Sequence, residues 1–156
     1  MEARFNFMDT EFGKRFLPKF VTASKMLEDS ALAGTVQELV KIRASQINGC
    51  AFCTDMHTKD ALAAGETQER LNMVAVWREA KVFTEAERAA LALAEQSTRI
   101  ADSSGVDDDT WDTARKHFDD EELAGLIAVV SVINTFNRLN VIVRAPAGDY
   151  VPGMFG

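Results

Sequence analysis

The chain has only two cysteines, two histidines and one tyrosine among its 156 residues. A structural disulfide framework needs more cysteines than that. A chain of this length also buries roughly 68–70% of the surface its unfolded form exposes, enough to fold without covalent staples. Positive charge is in the minority, with 17 Lys and Arg against 24 acidic residues for a net charge of −7, and no basic cluster occurs along the chain. That balance excludes the electropositive face a phosphate backbone requires, so nucleic acid is not an expected partner. Long apolar runs are missing as well. The best, "LAGLIAVVSVI" at 123–133, is too short to span a bilayer. The opening "MEARFNFMDTEFGKRF" breaks its apolar pairs with charges where a signal peptide needs a continuous apolar stretch. No membrane association is expected. The chain reads as cytoplasmic, where two cysteines three apart point to redox chemistry or metal before a structural disulfide.

Strand-length alternation of apolar and polar residues is absent too, and helical periodicity dominates. The expected class is all-α, a single domain over residues 1–156. A first helix is expected to start near Pro18, with Phe20, Ala23 and Leu27 on one face. A second runs from about Ala33 to Asn48 with Val36, Val40 and Ile47 inward, ended by Gly49. A third begins around the two cysteines and ends at Gly65, and a fourth runs from Thr67 to about Ala80. Thr84 and Glu87 have capping-box spacing and open a fifth, with Ala90, Leu91 and Ala94 on its apolar side. After a polar stretch at 99–109 come a short helix around Trp111 and a long one from about Asp120 to Val141.

Against this background "INGCAFCTDMHTKD" (47–60) concentrates both cysteines and one histidine within eight positions. With Gly49 ending one helix, Cys50 stands at the start of the next, where free backbone N–H groups and the helix dipole favour a thiolate. Positions 50, 53 and 57 lie along one helix face, so His57 is one turn from Cys53 and can take its proton directly or through a water. Cys50 can close a disulfide with Cys53. If the helices flanking Gly49 are antiparallel, Glu38 lies about 16 Å back from the turn and His57 about 12 Å forward, so the two side chains can meet. A carboxylate there would fix the imidazole tautomer and support its positive form, or hold a relaying water. The same residues admit a zinc reading, with Glu38 or His117 as fourth ligand, but the second well-separated ligand pair of a structural zinc site is missing. Small buried hydrophobes and a core histidine are the third reading. Asn134 and Arg138, four apart on the last helix, could lie over the cysteine site, at a subunit boundary or in solvent.

The segment "ELVKIRASQINGCAFCTDMHTKDALAAGET" (38–67) resembles the alkylhydroperoxidase AhpD core, within the broader carboxymuconolactone decarboxylase-like family. Its pattern of a glutamate, eleven residues and CxxCxxxH is met by Glu38, Cys50, Cys53 and His57. Weaker likeness at 75–95 and 133–141 extends it over most of the chain, with a motif core at about 18–100. The resemblance implies helices packed around a central hairpin that carries the CxxC pair. It also implies hydroperoxide reduction in which Cys53 attacks and Cys50 resolves, without metal or organic cofactor. A dihydrolipoyl protein or a thioredoxin-like protein would be the reductant, and the assembly a homo-oligomer, a trimer or hexamer. A redox sensor with a reversible disulfide is the alternative. Two departures stand out: the founding peroxidase has a histidine immediately before its second cysteine where this chain has Phe52, and it contains two core repeats where this chain shows one. The decarboxylases of the wider family lack the cysteine pair, which argues against lactone decarboxylation here.

Overall fold

A computed structural model describes residues 2–155 of the chain. It is all-helical, and no strand occurs among the described residues. Seven α-helices follow in order: α1 (Glu11–Lys25), α2 (Gly34–Asn48), α3 (Ala51–Ala63), α4 (Gln68–Met73), α5 (Glu85–Thr98), α6 (Asp108–His117) and α7 (Asp120–Val143).

The hairpin of α2 and α3 is central, because α2 packs on α3, α5 and α7 at once. A helix covered on three sides must be apolar on three sides, and Leu39, Val40, Ile42 and Ala44 are each almost fully buried. Val36 and Val40 join α5, α6 and α7 in one cluster with Leu93, Leu126 and Val129. Leu39 and Ile42 join α3, α4 and α5 in a second with Ala61, Leu71 and Leu91. Of the inward residues expected on α2, Ile47 is only half-buried.

Helix starts follow the capping residues. Thr84 Oγ1 accepts from Glu87 N–H while the Glu87 carboxylate accepts from Thr84 N–H, the expected capping box, and Ala90, Leu91 and Ala94 are buried behind it. Asp119 and Glu122 form a second capping box at the start of α7. The first helix differs from expectation: it begins after Thr10, whose hydroxyl accepts from Gly13 N–H at 2.9 Å, and Pro18 lies in its interior. Pro18 is exposed, so the Lys14 carbonyl it leaves without a helical partner is on the solvent side. The fourth helix also differs, stopping at Met73 with a 3-10 turn at Val74–Val76. There the Arg88 guanidinium donates to the carbonyls of Trp77, Arg78 and Ala80 at 2.8–3.0 Å, replacing the hydrogen bonds a continuing helix would make.

The last helix has 24 residues, against the 11 of the apolar run read at 123–133, and by length and composition alone it could cross a membrane. Its inner face carries the buried Asn134 and Asn137 against α2. Beyond it, the tail folds back on α3, where Lys59 Nζ donates to the carbonyls of Gly148 and Tyr150 at 2.9 Å each.

Candidate active site

Gly49 turns the chain between α2 and α3. Its φ of +66° is a left-handed conformation that glycine adopts freely, and Cys50 N–H donates to Ser45 carbonyl at 3.0 Å to close the end of α2. Cys50 is therefore the N-cap of α3. Its Sγ accepts from the backbone N–H of Cys53 at 3.3 Å, so the sulfur takes the place a serine or aspartate oxygen holds at other helix starts. The two cysteines are joined as a disulfide with Cα atoms 5.4 Å apart. They are 2% and 1% exposed, walled by Ala44, Ile133 and the half-buried Phe52.

The antiparallel hairpin brings Glu38 and His57 together. His57 Nδ1–H donates to Glu38 Oε2 at 2.9 Å, while Lys41 Nζ donates to Oε1 at 2.7 Å. Burial pushes the Glu38 carboxyl up, but the hydrogen bond and charge of His57, helped by Lys41, outweigh it and hold the group below its usual range. Glu38 is therefore anionic near neutrality. With Nδ1 engaged, Nε2 is the ring nitrogen left for chemistry. No direct hydrogen bond links His57 to either sulfur among the described residues, so proton exchange with Cys53 calls for a bridging water or a small ring movement. A small cleft between α2, α3 and α4 is lined by Thr35, Glu38, Leu39, Ala61, Ala64 and Leu71.

The donor that does reach Cys53 Sγ is Asn140 Nδ2 of α7, at 3.4 Å, a residue the sequence reading did not single out. It extends a row of asparagines at 134, 137 and 140, whose spacing of three on an apolar helix was the available signal. Asn48 Nδ2 donates to the side-chain oxygens of Asn134 and Asn137 at 2.9 and 2.8 Å, and Asn137 Nδ2 donates to Ser45 Oγ at 3.0 Å. Asn134 thus ties α7 to the end of α2, whereas Arg138 is exposed and donates to the Asn134 carbonyl.

His117 is exposed at the end of α6, which packs on α5. Trp77 is a core residue whose indole N–H donates to Glu95. Phe52, at the position of the founding peroxidase's extra histidine, packs on Phe155 of the tail with ring centroids 6.2 Å apart. Next to it Tyr150 donates to Asp60, and burial together with that carboxylate pushes its hydroxyl up to about 12.

Residues 17–96 match the model of the carboxymuconolactone decarboxylase family. The chain belongs to that family. Within it, this AhpD-like member is 41% identical to the uncharacterized protein YdfG of Bacillus subtilis strain 168 over 117 residues, which span 75% of this chain and 79% of YdfG. Its fold matches a crystal structure of a protein of unknown function from Agrobacterium tumefaciens, provisionally assigned as the antioxidant defence protein AhpD. That match has a TM-score of 0.89 and 35% identity, covering 96% of this chain and all of the other. An uncharacterized peroxidase-related protein from Ralstonia eutropha JMP134 with an alkylhydroperoxidase AhpD core shares the fold at a TM-score of 0.73. There the identity is 20%, over 85% of this chain and 70% of the other.

Proposed function

We propose that the protein is an alkylhydroperoxidase-like enzyme that reduces hydroperoxides through Cys50 and Cys53, with Glu38 and His57 as its proton relay. The observation that supports this most is the Glu38–His57 hydrogen bond at 2.9 Å on the same helical hairpin as the bonded cysteine pair. A carboxylate, an imidazole and two thiols are the set that peroxide reduction by thiols uses.

His57 takes the proton of Cys53, and the thiolate attacks the distal oxygen of the hydroperoxide. The O–O bond breaks, and the alkoxide leaves as an alcohol with the proton held by His57. Cys53 is then a sulfenic acid. Cys50 gives up its proton and its sulfur attacks the Cys53 sulfur, the S–O bond breaks, the departing hydroxide takes that proton and leaves as water, and the disulfide remains. A dithiol donor, a dihydrolipoyl protein or a thioredoxin-like protein, returns the two electrons. The cytoplasm supplies such donors.

A homo-oligomeric assembly, a trimer or hexamer, agrees with the apolar side chains left outward on α1 and α7: Phe12 is 65% exposed and Ile142 67%.

Peroxide consumption measured with dihydrolipoamide, thioredoxin and glutathione as separate donors tests the reading. Multiple turnovers with at least one dithiol donor are expected. A single oxidation per chain with no turnover under any donor would overturn it in favour of a redox sensor.

A further inference from the structure

We propose that Asn140 is a thiolate-stabilising residue of the dithiol site: in the reduced protein its Nδ2–H donates to Cys53 Sγ and holds that sulfur ready for attack. This rests on the reading of Cys53 as the attacking cysteine.

The need for such a donor follows from where the two sulfurs sit. Cys50 Sγ already has the free N–H at the start of α3, at 3.3 Å. Cys53 lies one turn inside the helix, 1% exposed and walled by Ala44 and Ile133, surroundings that disfavour an anion. Asn140 Nδ2, at 3.4 Å, is the side-chain N–H donor placed on its sulfur. A thiolate only accepts, so the amide must present its NH₂ rather than its oxygen.

The position of Asn140 is fixed from behind. Asn137 and Asn134, one and two turns earlier on α7, are clamped to Asn48 and Ser45 of α2 by hydrogen bonds of 2.8–3.0 Å. Asn48 immediately precedes the Gly49 turn that sets the start of α3. The same ladder therefore registers the donor and the sulfur against each other. Asn137 is fully buried, where a polar amide is costly unless all its partners are in place, so the ladder holds one geometry.

The test is a thiolate-absorbance titration of reduced Cys53 in a Cys50→Ser background. Asn140→Leu keeps the bulk without the donor and should raise the titration midpoint by about one pH unit or more, since hydrogen bonds to charged groups are the strong ones. The rate of one stoichiometric peroxide reaction at neutral pH should fall about tenfold and recover at higher pH, where Cys53 ionises unaided. Asn140→Ala removes the donor with less bulk and should raise the midpoint likewise; it carries the test if the leucine variant does not fold. Asn140→Gln, which retains an amide, should recover part of the shift. Superimposable titrations for the parent and the folded donor-less variant would overturn the assignment. The titration consumes no peroxide, so a shifted midpoint in a protein that turns over no peroxide would leave Asn140 in place and remove the peroxidase reading instead.

Discussion

Glu38 gives one oxygen to His57 and the other to Lys41, so its charge is held from both sides. Glu38→Gln keeps the size and removes the charge. On the proposed relay, the Cys53 thiol, titrated in a Cys50→Ser background, should then ionise at higher pH. Activity at neutral pH should fall by a factor of about 10²–10⁴, with part of it returning as pH rises. An unchanged titration with lowered thermal stability would make Glu38 structural. The Glu38–His57 contact was legible in the sequence because helix rise and a single turn convert residue spacing into distance. Asn140 was not, because its contact with Cys53 spans 87 positions and depends on how α7 crosses the hairpin, which spacing does not encode. Phe52 could be read only as a departure from a pattern; its packing on Phe155 belongs to the folded tail.

At the scale of elements, the turn between α2 and α3 rests on backbone conformation. A Cβ at Gly49 would meet no neighbouring atom, so Gly49→Ala should be destabilising by the left-handed backbone alone, about 1–2 kcal/mol, read as a lower unfolding midpoint. Gly34→Ala, with equally open space at the start of α2 and no positive φ, should be neutral or slightly stabilising in the same measurement. The crossing of α2 and α5 is pinned at Glu95. Burial pushes its carboxyl up, but Trp77, Arg43 and Arg78 outweigh that and bring it from 4.5 down to about 2. A carboxyl so depressed contributes stability that is present above about pH 4.5 and is lost as pH falls through about 2. Thermal unfolding followed from pH 6 to pH 2 should therefore fall less steeply for Glu95→Gln than for the parent, from a lower starting point. Helices with side-chain caps in the expected register, such as α5, were readable from sequence. The start of α1 was missed because Pro18 was read as a first-turn residue, and the end of α4 because the carbonyls at 77–80, where the helix was expected to continue, are taken by Arg88, a side chain from another helix.

For the whole molecule, the outward apolar residues of α1 and α7 lead to a measurable expectation. Light scattering of the 17.2 kDa chain should give the mass of three or six copies, and Ile142→Glu should lower it. A monomeric parent at micromolar concentration would remove the assembly from the account. The helical class was legible from periodicity, and the family from one motif and its neighbourhood. How α7 and the tail close over the hairpin was not, since those contacts join residues far apart in the chain. On the proposed mechanism Cys53 attacks a hydroperoxide and Cys50 resolves it. The direct measurement treats reduced Cys50→Ser and Cys53→Ser proteins each with one equivalent of an organic hydroperoxide, then traps sulfenic acid with dimedone and locates the adduct by mass spectrometry. One alcohol released and one adduct per chain on Cys53 are expected from Cys50→Ser, and neither product from Cys53→Ser. An adduct on Cys50 of Cys53→Ser with an inert Cys50→Ser protein, or no reaction in either, would contradict it.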